Sequence, residues 1–116
     1  MAAAQYDILI EQGATFSRTF VWKDSSEVAV DLTGYTARMQ IRKTKSGSTV
    51  YITATTENDG ITLGGDEGTV LVTIPAADTA DLEILRGVYD VELIDSEGVV
   101  TRLVEGAVEV SREVTR

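Results

Sequence analysis

Asp59, Asp66 and Glu67 sit in neighbouring glycine-rich breaks of this 116-residue chain, and by type and spacing they come nearest to holding a metal. Carboxylate oxygens suit Ca²⁺, but an EF-hand loop wants acids or amides at alternate positions and a distal Glu. The spacing here does not match, so the expectation is a solvated acidic face with no metal and no cofactor. Paired carboxylates can also serve as acid and nucleophile on a glycosidic bond without any His. Such enzymes hold them in a deep cleft of a larger scaffold, and short loops on a chain this size leave little material for one. Ser17, Ser46 and Ser111 have nothing to activate them, because the chain contains no His and no Gly-x-Ser-x-Gly elbow. The absence of Cys further removes thiol nucleophiles, disulfides and, with His, the common zinc and iron–sulfur sites. The chain is expected not to be an enzyme.

Charge is the remaining handle. The sequence carries 19 acids against 10 Lys and Arg, a formal charge of -9. Phosphate backbones and anionic membrane surfaces are held mainly by Lys and Arg, so nucleic acid and membrane are not expected partners. From Glu57 to Glu109 there are thirteen carboxylates and only two cations, Arg86 and Arg102. Arg38, Arg42, Lys43 and Lys45 form the one basic cluster. With Gln40 they make a candidate interface for an acidic surface, either a second copy of the chain or a neighbour in an assembly. The same residues also fit a solvated strand face with edge-protecting charges. Trp22 reads as an interface anchor or, in register with Phe16 and Phe20, as core. A sugar-stacking platform would require Tyr6, Tyr51 and Trp22 to be exposed.

The elements that must position these residues announce themselves by alternation with period two. Tyr6, Ile8 and Ile10 form one apolar row; Phe16, Phe20 and Trp22 form a second, interrupted by Arg18. Tyr35, Ala37, Met39 and Ile41 alternate with Thr36, Arg38, Gln40 and Arg42, which places the basic residues on the wet face of a strand. Val50, Ile52 and Ala54 continue the pattern, as do Val70, Val72 and Ile74, then Tyr89, Val91 and Leu93. The last stretch sets Val104, Gly106, Val108 and Val110 against Leu103, Glu105, Ala107 and Glu109. Between the rows lie turn residues, among them Asp31-Leu32-Thr33-Gly34, Asn58-Asp59-Gly60 and Asp95-Ser96-Glu97-Gly98. Seven or eight strands so spaced read as an all-β antiparallel sandwich, immunoglobulin-like or jelly-roll-like. Residues 75–82, opening on Pro75, predict one short helical crossover between the sheets.

A chain of this length supports a single domain over residues 1–116, with residues 1–5 and 113–116 flexible or ordered by a partner. Met1 to Gln5 lacks the basic and apolar regions of a signal peptide, and no apolar run approaches the ~20 residues of a membrane span. Folding in the cytoplasm is expected.

Four stretches in order carry a resemblance. They are Ile10-Glu11-Gln12-Gly13-Ala14-Thr15-Phe16, Val30-Asp31-Leu32-Thr33-Gly34-Tyr35-Thr36-Ala37-Arg38-Met39-Gln40-Ile41-Arg42, Gly87-Val88-Tyr89-Asp90-Val91-Glu92-Leu93 and Leu103-Val104-Glu105-Gly106-Ala107-Val108-Glu109-Val110. Together they resemble small virion proteins of tailed bacteriophages, in particular the N-terminal domain of baseplate upper proteins, although that protein continues into a long C-terminal part. The resemblance implies a virion structural protein of the tail, baseplate or head–tail adaptor, folded in the host cytoplasm. It would be homo-oligomeric and bind other virion proteins. The alternatives are a capsid decoration protein and a stand-alone carbohydrate-binding adhesin module.

Overall fold

The computed structural model describes residues 3–115, and in them the apolar rows become nine strands and one short helix. The strands are β1 (Ala4–Gln5), β2 (Ile8–Glu11), β3 (Phe16–Val21), β4 (Thr36–Arg42), β5 (Val50–Thr55), β6 (Ile61–Leu63), β7 (Thr69–Ile74), β8 (Arg86–Ile94) and β9 (Val100–Ser111). Helix α1 (Ala76–Ala80) lies between β7 and β8. The larger sheet runs β9, β8, β4, β5, with β1 and β2 placed end to end along the outer side of β9. The smaller sheet runs β3, β7, β6. This order, with the last strand in one sheet with β8 and β4 while β3 and β7 belong to the facing sheet, is the immunoglobulin-like arrangement and not a jelly roll. The fold is a β-sandwich, as the alternation implied, with one departure: β1 and β2 pair with β9 in parallel, so the larger sheet is mixed.

Burial follows the alternation. Ala37, Met39 and Ile41 of β4, Val91 and Leu93 of β8, and Val70, Val72 and Ile74 of β7 are all but inaccessible, and the inner faces of both sheets contribute to one apolar cluster. At ~25 cal/mol per Å² of apolar surface removed from water, that cluster is the main source of stability, since no disulfide is present. Leu32 is also buried in it. The turn that delivers it is fixed by Asp31, whose Oδ1 accepts from the Thr33 hydroxyl at 2.7 Å and the Thr33 N–H at 3.0 Å. Those two bonds hold the Asp31 carboxyl below its ordinary pKa, the hydroxyl contributing most.

Arg18, the residue that interrupts the second apolar row, does occupy an inward position: it lies opposite Val72 on the edge strand β3. Its guanidinium sits over the Tyr6 ring, 5.3 Å from the centroid, and Tyr6 in turn meets Phe20 edge to face at 5.8 Å. Trp22 lies just beyond β3, half-buried against the core and edge to face with Tyr35. Helix α1 falls inside the predicted 75–82 span, with Pro75 as its N-cap and Ala76 as its first residue. Its Thr79 is fully buried; the hydroxyl accepts from Gly13 N–H at 3.1 Å and can donate to Ala14 O at 2.8 Å or Ala76 O at 3.0 Å, which ties the helix to the β2–β3 turn.

Nine strands replace the expected seven or eight for two local reasons. The first row is broken at Tyr6 and Asp7 into β1 and β2, and the three-residue β6 is too short to alternate visibly. Of the terminal stretches, Ala4 and Gln5 form β1, and Glu113 N–H donates to Gln12 Oε1 at 3.1 Å. Met1, Ala2 and Arg116 lie outside the described residues.

Candidate protein-binding face

β4 presents Arg38, Gln40 and Arg42 on the outer face of the larger sheet, as the alternation requires, and Lys43 and Lys45 follow in the β4–β5 turn. The basic residues do not stand alone there. Register sets Glu92 of β8 opposite Arg38, and Asp90 opposite Gln40. On the far side of β8, Arg102 of β9 lies opposite Glu92 and Glu105 opposite Asp90. The result is a ladder of mixed charge. Arg38 Nε meets Glu92 Oε1 at 2.7 Å, Arg102 reaches Glu105 at 3.2 Å and Asp90 at 3.5 Å, and Lys45 lies 3.7 Å from Glu105. Arg42 donates to Gly47 O at 2.7 Å and to Gln40 Oε1 at 2.9 Å, so its fork is held in the plane of the face. Partly exposed pairs of this kind each contribute ~0–1 kcal/mol, so what they mainly provide is fixed side-chain geometry.

The ladder surrounds a shallow depression lined by Gln40, Arg42, Val88 and Asp90. Partial burial raises the Asp90 carboxyl above its ordinary pKa, with Glu92 and Glu105 adding to the rise and Arg102 opposing it. One row further along, Arg86 lies opposite Glu109. The face thus gathers five of the ten cations (Arg38, Arg42, Lys45, Arg86, Arg102) and four of the nineteen acids (Asp90, Glu92, Glu105, Glu109). That leaves five cations against fifteen acids over the rest of the molecule. The face is close to neutral and the remainder is strongly negative.

Sheet edges are the other surface through which β proteins associate, and here those of β5, β3 and β6 are obstructed or short. On β5 the Asn58 side chain folds back onto the strand: Oδ1 accepts from Thr55 N–H at 2.8 Å and Nδ2 donates to Thr53 O at 2.9 Å. Tyr51 is an extra residue in β5 at the point where its register with β4 shifts, a bulge that also turns Val50 outward. On β3 the inward Arg18 would have to be buried by any added strand, and β6 has only three residues. Along β9 the gap between β1 and β2 is filled by Asp7, whose Oδ1 accepts from Ala107 N–H at 2.9 Å.

The other candidates do not assemble into a site. Among the described residues no group of three acids is placed to hold a metal ion, and Asp59 lies before β6 while Asp66 and Glu67 follow it. Tyr6 is 39% exposed, yet its ring is engaged by Arg18 and Phe20; Trp22 and Tyr51 are half-buried and lie on different elements. No flat aromatic platform results. Sequence reasoning missed the acids of β8 and β9 that meet the basic strand, because nothing local in the chain reports which strands are neighbours.

No family model matches the chain, and no curated protein matches it in sequence. Among solved structures, it resembles the extracellular domain of the voltage-gated sodium channel β4 subunit, whose parallel homodimers were described in connection with cell–cell adhesion, at 11% identity over 98% of this chain and 97% of that one, with a TM-score of 0.46. Sodium channel β subunits described for multimeric cell-adhesive interactions match at 11% identity over 92% of each chain, with a TM-score of 0.44. Drosophila OTK extracellular domains 3–5 match at 17% identity and a TM-score of 0.41; the match covers 94% of this chain and a third of that one, 33%. The likeness is one of architecture. These findings correct the bacteriophage reading: the similar structures are extracellular domains and cell-adhesive sodium channel β subunits, not tail or baseplate proteins. The expected virion location falls with it, and none of these similarities supports virion partners. The four stretches that carried the resemblance are turn-and-strand patterns of the sandwich itself, which unrelated sandwiches share.

Proposed function

We propose that this chain is a non-enzymatic, adhesion-type interaction module that associates with a second copy of itself through the outer face of its larger sheet. The observation that carries the reading is the near-neutral, geometrically fixed charge ladder on a molecule that is otherwise strongly acidic. Two copies repel wherever acidic surfaces meet, so that face is where a close approach is electrostatically tolerable. The obstructed edges support the same choice, since they disfavour strand addition. Engagement of Tyr6 and Trp22 in edge-to-face pairs favours a protein partner over a sugar.

Sedimentation velocity over a wide concentration range tests this. Wild type is expected to shift from monomer to dimer, and Val88→Glu, which puts an acid in the middle of the face, to weaken the dimer at least tenfold. The double reversal Arg38→Glu/Arg42→Glu is expected to do the same. Val88 takes no part in the ion pairs of the ladder, so Val88→Glu stays informative if the double variant melts early. A chain that remains monomeric throughout, or three proteins with the same dimer constant, would overturn the reading.

A further inference from the structure

Two turns at one end of the sandwich are built alike. Asp24-Ser25-Ser26-Glu27-Val28 lies between β3 and β4, and Asp95-Ser96-Glu97-Gly98-Val99 joins β8 to β9. In each, the Asp Oδ1 accepts from the N–H groups two and four residues on: Ser26 at 2.8 Å and Val28 at 3.1 Å in the first, Glu97 and Val99 both at 2.9 Å in the second. In each, the Asp N–H donates to the valine carbonyl, at 2.9 and 3.0 Å. The fourth residue has positive φ in both, Glu27 at +63° and Gly98 at +86°. Each turn thereby presents one valine, and Val28 and Val99 are both 58% exposed. Docking onto loops already held in shape loses little conformational entropy.

The surroundings of these turns are largely apolar. Val21 and Val100 are also exposed, and a groove lined by Val21, Trp22 and Leu103, together with the cations Lys23 and Arg102, runs between β3 and β9. Glu27 and Glu97 are exposed acids of the two turns, while Asp24 and Asp95 accept the N–H groups within them. The opposite end has the reverse character. β4 runs antiparallel to β8, with Thr36 beside Ile94 and Arg42 beside Val88, so the β4–β5 turn lies at the far end from Val99. No acid occurs between Asp31 and Glu57, and Lys43 and Lys45 are exposed in that turn. Arg42 and Thr44 pin it through Gly47, and the outward-turned Val50 lies next to it, opposite Arg42.

We infer that the twin-turn end of one copy docks on the β4–β5 turn of another, Val28 and Val99 packing on Val50 and the lysine stems while Glu27 and Glu97 face Lys43 and Lys45. Lysine stems cover apolar surface readily while their ammonium groups stay near acids. The contact joins opposite ends of a molecule 44 Å long, so it is heterologous and builds chains or rings; the face-to-face contact closes on itself. It shares Lys45 with the ladder, where that side chain lies 3.7 Å from Glu105, so the two contacts overlap at that residue, and the end contact is tested where the face is silenced.

The test works in a Val88→Glu background, which silences the sheet face. Sedimentation velocity of that protein is expected to show mass growing past the dimer with concentration. Glu27→Lys/Glu97→Lys and Lys43→Glu/Lys45→Glu should each return it to monomer. An equal mixture of the two charge-reversed proteins should restore growth, because each then offers the end that the other lacks. Val28→Ser/Val99→Ser, at exposed sites that leave the core alone, should weaken growth about tenfold. Growth that ignores the reversals, a mixture that stays monomeric, or a background protein that never exceeds monomer would each overturn the proposal, the last leaving the twin turns to a different partner.

Discussion

Two residues show how single atoms hold the larger sheet together. Gly106 of β9 faces the Tyr6 carbonyl, and a Cβ built on it would lie 2.2 Å from that oxygen. The same carbonyl accepts from the Tyr89 hydroxyl, and Tyr6 N–H donates to Glu105 O at 2.9 Å, so the obstruction is backbone that is already pinned. Gly106→Ala must push β1 and β2 off β9, and a cost of about 2 kcal/mol is expected, as for overpacking a core. For a domain of this size that lowers the melting temperature by about 8 °C, readable by calorimetry. Asp90 poses a pH question. Its pKa is raised in the folded state by burial, so the folded protein binds more protons between the unfolded and folded values, and stability falls as pH rises through that window. Asp90→Asn removes the penalty. It should be more stable than wild type at neutral pH by a few tenths of a kcal/mol, since the group is partly solvated, and the advantage should vanish below the unfolded value of 3.8. Asp31 runs the other way, its carboxyl lowered by Thr33, so the stability it contributes above that value is lost as pH falls. Melting curves of wild type, Asp90→Asn and Asp31→Asn at acid and neutral pH should therefore diverge in opposite senses.

At the scale of strands, alternation was a good guide where one face is buried over five or more residues. β4, β7, β8 and β9 were all legible in this way, inward residues included. What alternation reports is which face is wet, and it is silent on which strand is the neighbour and in which direction it runs. The parallel pairing of β1 and β2 with β9 was invisible for that reason, and so was β6. Val50 was misplaced inward because the Tyr51 bulge inverts the pattern at one residue. Asn58-Asp59-Gly60 was legible as a turn, but its work on the neighbouring edge was not. Asn58 occupies Thr53 O and Thr55 N–H, two groups that an incoming strand would otherwise use. Asn58→Ala should cost about 1 kcal/mol for the lost bonds and, more tellingly, raise the rate of aggregation at 37 °C seen by light scattering. Unchanged aggregation would reduce Asn58 to a turn residue.

Across the whole molecule, the basic residues of the candidate face were legible as a strand face, whereas their acidic partners were not. Arg38 and Glu92 are separated by 54 positions and meet only through the register of β4 on β8. The charge asymmetry read along the chain, acidic in the second half, becomes in three dimensions a contrast between one neutral face and an acidic remainder. That contrast sets the salt dependence of self-association. At ~0.01 M salt the Debye length is about 30 Å, longer than the 24 Å thickness of the molecule, so each copy feels the other's full charge of -9. At ~0.15 M it is about 8 Å: the distant acids are screened, while pairs at 3–4 Å across a contact keep most of their attraction. Near 1 M, at about 3 Å, those pairs weaken too. Association measured by sedimentation should therefore pass through a maximum near physiological salt. Monotonic weakening from the lowest salt upward would mean that attraction at the contact outweighs the net repulsion at every distance, and the acidic remainder would then not be what confines docking to the neutral face.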